Sequence, residues 1–131
     1  MIGHPEPPYY YFGRFAARLD DAANFIPARL TALAIIAAAK FRGFNIWRRD
    51  GNKHSSPNAG QSEAAMAGAL GVRLGGLSLY DGRPHEAPLL HAEGRPPSPR
   101  DVSAAMSIVA IVSGVAFAAA LLAVARRPRR W

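Results

Sequence analysis

Cysteine is absent from the chain, which excludes disulfide staples, thiolate metal ligands and a cysteine nucleophile. Aromatic residues are scarce too, at 9%, although 50% of the side chains are hydrophobic, so the apolar content is mostly alanine and aliphatic. Small residues of that kind favour close helix contacts. Period-two alternation of apolar and polar residues is almost missing, which gives strands little support and makes the expected class all-α. A signal peptide is not recognisable either. Met1 to Tyr11 carries prolines at 5, 7 and 8 and a tyrosine run, where a basic start and an apolar core would be needed, and it reads as a loop.

The formal net charge is +7. Such a charge suits nucleic acid when basic residues line one face with aromatics between them, and that arrangement is absent. Here the basic residues close apolar runs: Lys40, Arg42, Arg48 and Arg49 follow one, and Arg126, Arg127, Arg129 and Arg130 follow another. Membrane headgroups attract basic residues at those places. No nucleic-acid partner is expected; the lipid bilayer is.

Phe12 to Asn24 (12–24) has the spacing of a polar amphipathic helix, with Phe15 and Leu19 on one face and Arg14, Arg18, Asp20 and Asp21 beside them. Asn24 is placed to cap a second helix, with Pro27 in its first turn. That second helix, Ile26 to Phe41 (26–41), is apolar except for Arg29, Thr31 and Lys40. Crossing about 30 Å of hydrocarbon takes roughly 20 residues, so it spans only if Arg29 and Lys40 snorkel; otherwise it is a buried core helix. Val102 to Ala125 (102–125) carries no charge and reads as a transmembrane helix, started by Ser98 or Asp101 and stopped by Pro128.

Between these runs, Asn58 or Ser62 can cap a helix from Glu63 to Val72 that Gly75 and Gly76 would end. Residues 77–101 read as an irregular, proline-punctuated loop. The charge rule conflicts with itself at this point. If two helices cross, the basic 40–101 segment and the basic tail face opposite sides, unless the stretch from Glu63 to Leu79 dips into the membrane or the Ile26 helix does not cross.

Residues 48–76 combine a dense polar cluster with a small-residue helix. Ser55 to Gly60, SSPNAG, places hydroxyls, an amide and a turn before a helix N-terminus, where backbone N–H groups attract anions. The same residues also suit an ordinary turn and helix cap. Asp20, Asp21 and Asp50 are the carboxylates available to a hard divalent cation, but neighbouring helix positions diverge, and a solvated face explains the first two equally. His54 beside Lys53 can form a positive pair for an anionic ligand. His4, His85 and His91 lack metal-ligand spacing. Arg14, Arg18 and Arg29 can bind phosphate or anchor the chain at a membrane interface. Ala64, Gly68 and Gly71 fit helix packing better than ligand contact.

Two blocks carry a resemblance: FGRFAARLDDAANFIPARLTAL at Phe12 to Leu33 and WRRDGNKHSSPNAGQSEAAMAGALGVRLGG at Trp47 to Gly76. In this order and spacing they look like the carboxy-terminal half of the adenosylcobinamide-phosphate synthases, the CbiB/CobD family of cobalamin (vitamin B12) biosynthesis. The resemblance implies a multi-pass protein of the cell (inner) membrane, with polytopic helices and a polar helix-loop insert between them. The implied enzyme is an amide-forming ligase. It joins aminopropanol, free or phosphorylated, to a propionate of the corrinoid adenosylcobyric acid, using ATP and Mg²⁺. Carried over position by position, the implied catalytic residues are Asp50, Lys53, His54 and Glu63. The implied substrate and phosphate contacts are Arg14, Arg18, Asn24, Arg29, Ser56, Asn58 and Gly60, and Asp20 and Asp21 are the implied Mg²⁺ ligands. Ser55 and Ser62 stand where the family has proline, and the stretch His4 to Tyr11 departs from its pattern. The chain is therefore expected to be a partial domain whose missing amino-terminal half is supplied as a separate chain. A non-catalytic membrane fragment or structural subunit, and a membrane-signalling paralogue without ligase activity, are the competing readings.

Overall fold

The computed structural model describes residues 10–80 and 82–126. The expected loop over residues 1–9, His4 within it, and the tail at 127–131 lie outside the described residues. Four helices and one hairpin follow in order: α1 (Tyr10–Ala38), α2 (Phe44–Asp50), α3 (Ala59–Leu70), β1 (Leu74–Tyr80), β2 (Arg83–Leu90) and α4 (Pro99–Ala125).

The expected pair of helices, 12–24 and 26–41, is one continuous helix, with Pro27 in its interior. Proline there removes a backbone hydrogen bond and costs about 3 kcal/mol, which is why a break was expected. Continuity is held from both sides of Pro27. Upstream, Asp21 and, downstream, Arg29 both bind the segment before α3. Further on, Ala32, Ile35 and Ile36 are buried against Ala65 and Ala69 of α3. Asn24 is consequently mid-helix, donating to Asp20 Oδ1 at 2.9 Å instead of capping.

α1 ends in a reversal built from left-handed residues, Lys40 (φ 55°), Phe41 (φ 63°) and Gly43 (φ 88°). The chain then returns beside α1. A Cβ on Gly68 of α3 would lie 2.5 Å from Gly43 Cα and 2.9 Å from Ile46 Cβ, so this approach requires glycine. α3 starts at Ala59, ahead of the expected Glu63, and ends at Gly71, whose φ of 68° makes it the C-cap in place of Gly75 and Gly76. From Asn58 beside Asp21 to Ala69 beside Ile36, α3 lies along α1, so the polar insert folds back on α1 and does not project beyond it.

Part of the expected loop 77–101 is an antiparallel hairpin with Leu74 opposite Leu90 and Tyr80 opposite Arg83. Gly82, with a φ of 73°, lies in the connection between the strands, which alternation alone did not reveal. Pro84 and Pro88 are tolerated because a two-stranded sheet has only edges. At the bulge between Leu74 and Gly76, a side chain at Gly75 would strike the Pro88 carbonyl. The hairpin base docks on the other face of α3, where Leu90 is buried with Ala64 and Ala67.

α4 begins at the expected Ser98 N-cap. Ser98 donates its N–H (2.7 Å) and Oγ–H (2.6 Å) to Asp101 Oδ2, and Arg95 forks onto the same carboxylate. Ile108 and Val112 touch the core, while Val115, Phe117, Leu121 and Val124 stay exposed. Among the described residues, Gly13–Ala38 and Pro99–Ala125 are the two helices long and apolar enough to cross a membrane.

Gly68→Val is expected to wedge α3 away from the Gly43 turn and cost about 1 to 3 kcal/mol, in the range of overpacked cores. Thermal unfolding of the purified chain, followed by circular dichroism, should show the lowered midpoint.

Candidate functional site

Asp50 closes α2 with a carboxylate that is fully sealed from solvent. Arg49 grips it through Nε to Oδ1 (2.8 Å) and Nη2 to Oδ2 (2.9 Å), Lys53 Nζ lies 2.9 Å from Oδ1, and the His91 N–H donates to Oδ2 at 2.7 Å. The Arg49 bond above all, then Lys53 and the His91 amide, hold this carboxyl well below the usual carboxylate range against the opposing effect of burial. Arg49 uses its other edge on Glu93, at 2.6 and 2.9 Å. That contact lowers Glu93 to about 2 and raises the Arg49 guanidinium further. The cage wall is thin, since the Arg49 and Lys53 side chains are 49% and 41% exposed.

Gln61 organises the adjoining loop. Its buried amide Nε2 faces Gly51 O (3.0 Å), Asn52 Oδ1 (2.8 Å) and Pro57 O (3.0 Å), and its Oε1 accepts from the Trp47 indole at 2.8 Å. Gly60 belongs to this lock, because a Cβ there would lie 2.7 Å from Gly51 O and 2.9 Å from His54 Cδ2. His54 Nε2 sits 3.1 Å from Glu63 Oε2, but off the direction of a hydrogen bond, and has no hydrogen-bond partner. The pair is close enough to pass or share a proton after a small rotation.

A second cluster joins the loop to α1. Ser56 Oγ donates to Asp21 Oδ1 (2.8 Å), and Asn58 Nδ2 donates to the Asp21 carbonyl (2.8 Å). Arg29 Nη1 reaches Asn58 Oδ1 at 3.3 Å, with its guanidinium 3.4 Å above the Phe25 ring. The expected candidates thus fall into three groups: Asp50 with Lys53; His54 with Glu63 beside Gly60; and Asp21, Arg29, Ser56 and Asn58. Asp20 pairs with Asn24 and stands apart, and Arg14 and Arg18 are exposed along the amino-terminal part of α1.

Sequence reasoning missed Arg49, Gln61, His91 and Glu93. Arg49 and Gln61 lie inside the quoted motif, but nothing in their spacing signals a carboxylate or carbonyl partner. His91 is left-handed, and its ring Nδ1 faces two acceptors, Ala67 O and Val72 O, each at 3.2 Å, so Nδ1 carries the proton. Among the described residues no group of three or more His, Cys, Asp or Glu side chains could hold a metal ion.

The profile of the family described as CobD/Cbib protein matches residues 1–109, across the site just described. The chain belongs to this family. Among similar family members are proteins named cobalamin biosynthesis protein CobD. The one from Geobacter metallireducens is 45% identical over 94% of this chain and 40% of its own length. The Brucella suis protein is 44% identical over 93% and 41%, and the Mycobacterium tuberculosis protein 44% over 98% and 43%. The chain therefore spans about two fifths of the length of these relatives. No solved structure matches.

Because Asp50 and Glu93 titrate lower in the folded chain than in the unfolded one, their contribution is present above the ordinary carboxylate range and is lost as pH falls. For Glu93 the window runs from 4.5 down to about 2. Acid titration should loosen the 91–95 turn from α2, seen as faster amide exchange at His91 and Glu93. Asp50→Asn, which leaves Arg49 and Lys53 facing a neutral amide, should cost about 2 kcal/mol, below the 3–5 kcal/mol of a deep ion pair because the cage is thin.

Proposed function

We propose that this chain supplies the carboxy-terminal part of a membrane-bound cobalamin-biosynthesis enzyme that forms the amide between a corrinoid propionate and aminopropanol or its phosphate. The observation that carries this reading is that the family match covers a loop, braced by Gln61, that brings Lys53 and His54 beside Glu63 of α3. In the proposed reaction, the carboxylate takes the γ-phosphoryl group of ATP to give an acyl phosphate and ADP. The amine then attacks the carbonyl carbon, phosphate leaves, and the amine's proton is removed.

Arg29, and Lys53 through the donor left beside its bonds to Asp50 and Leu89 O, are the cations proposed to receive phosphate oxygens. His54, steered by Glu63, is the proton acceptor. Asp50 is reassigned by this reading: with all its donors inside the protein, it positions Arg49 and Lys53 and does not touch substrate. Asp21, which accepts from Ser56, and Asp20, which accepts from Asn24, are the proposed Mg²⁺ contacts, since one or two carboxylates with substrate phosphates suffice for that ion; no step is assigned to the metal.

α1 and α4 are the proposed membrane spans, with further spans contributed by the rest of a family chain. α4 supports this reading, since none of its most apolar window is buried in the protein. The roughly two-fifths share of the relatives' length also favours a second reading, in which the chain is a structural part that is inactive alone.

Co-expression with the remaining part of a family chain, in a strain lacking corrinoid amide formation, tests both. Restored amide formation is expected only with both pieces. His54→Ala should then lower the rate by about 10² or more, the usual share of a general base. Lys53→Ala should raise the requirement for the phosphorylated substrate. Unchanged rates in both variants would overturn the site, and failure of the intact pair would overturn the enzyme reading.

A further inference from the structure

At the carboxy-terminal end of α1 an open groove of about 720 Å³ is lined by Phe41, Arg42, Phe44, Asn45, Ile46 and His91, none of them among the residues the sequence marked as the site. We infer that this groove is an interfacial site for an anionic phospholipid, an inference that rests on the membrane reading of α1 and α4.

Its position is the first argument. The groove opens where the uncharged part of α1 stops, immediately beyond Ala39, the depth at which a spanning helix meets headgroups. Its composition is the second. Phe41, Phe44 and Ile46 offer an apolar wall, and Arg42 and Asn45 offer donors at its mouth. An amphipathic ligand with an acyl part and an acidic head matches both.

Charge is the third argument. Lys40, Arg42 and Arg48 form no ion pair with any described carboxylate, in contrast to Arg49, Lys53 and Arg95, which are all engaged. Arg48 lies 6.0 Å over the Phe44 ring, which keeps its charge beside the groove. Unmatched cations in and beside the groove, Arg42 in its lining and Arg48 over Phe44, favour a counter-anion from outside the chain.

Backbone conformation is the fourth. Lys40 and Phe41 are consecutive non-glycine residues in the left-handed region, an uncommon and disfavoured pair. The turn leaves Phe41 76% exposed. Lipid contact would offset that exposure. His91 closes the groove on the side of the hairpin, with its Nδ1 already committed to backbone carbonyls.

The test uses the full chain in nanodiscs of phosphatidylcholine and phosphatidylglycerol. Since the chain has no cysteine, Phe41→Cys and Val115→Cys each give one site for a bimane label. Nitroxide at the headgroup level is expected to quench the label at position 41, and nitroxide deep in the acyl region the label at 115. Phosphatidylglycerol retained after mild detergent extraction, counted by native mass spectrometry, is expected to fall about fivefold for each of Arg42→Gln and Arg48→Gln. Both side chains are exposed, so folding should survive, as circular dichroism will check.

Quenching at 115 without quenching at 41 would overturn the lipid site and leave the membrane reading standing. Absence of quenching at both would overturn the membrane reading and this inference together. Equal retention in the charge variants, or release by inorganic phosphate at constant ionic strength, would also refute it, the latter by showing a site for free phosphate.

Discussion

A carboxylate with no access to water must be matched by donors from the protein, and Asp50 is matched from three separate stretches of chain. Arg49 comes from the same helix, Lys53 from the loop, and the His91 amide from beyond the hairpin. Removing any one would leave a sealed charge under-satisfied, so the end of α2, the start of the loop and the exit of β2 are bound into one unit. Arg49 extends the unit by gripping Glu93 with its free edge. Gln61 continues it through neutral groups, tying three loop oxygens and the Trp47 indole to the first turns of α3. A loop without strands is thereby given a fixed shape, the condition for presenting Lys53, His54 and Glu63 in constant relation.

Small residues make room for that polar unit. α3 is buried on two faces, against α1 through Ala65 and Ala69 and against the hairpin through Ala64 and Ala67. Larger side chains would hold these elements apart, as the close approaches at Gly43, Gly60 and Gly68 show. The alanine richness that gives the chain a modest aromatic content is therefore what lets one short helix serve as the centre of the fold. Helical α1 also runs through Pro27 on the strength of these contacts, which outweigh a local penalty of about 3 kcal/mol.

α4 obeys a different constraint. Its capped start is fixed by Ser98, Asp101 and Arg95, and Ile108 and Val112 touch the core, but most of its surface is exposed among the described residues. An apolar helix exposed over most of its surface needs apolar surroundings, whether acyl chains or other helices. Leu30, Leu33 and Phe25 on α1 are exposed as well. The polar unit and the apolar exterior divide the molecule: one fixes the loop ahead of α3, the other leaves apolar helix surface uncovered.

The helical class, the charge-free run 102–125 of α4 with its Ser98 start, and the polar segment around Asp50 were legible in the sequence because each is written in neighbouring residues. Composition, a charge-free run and a cap motif are local properties. Family resemblance was legible for the same reason, through two contiguous blocks. Only tertiary structure decided that α1 is unbroken at Pro27, that part of 77–101 is a hairpin, and that Asn24 bonds to Asp20 without capping. It alone brought Ser56 and Asn58 onto Asp21, and set Arg49 between Asp50 and Glu93. Those outcomes depend on contacts between residues far apart along the chain, such as Arg49 with Glu93 or Asp50 with His91, and no local pattern encodes which distant donor will reach a buried carboxylate once the small-residue helix has drawn the backbone together.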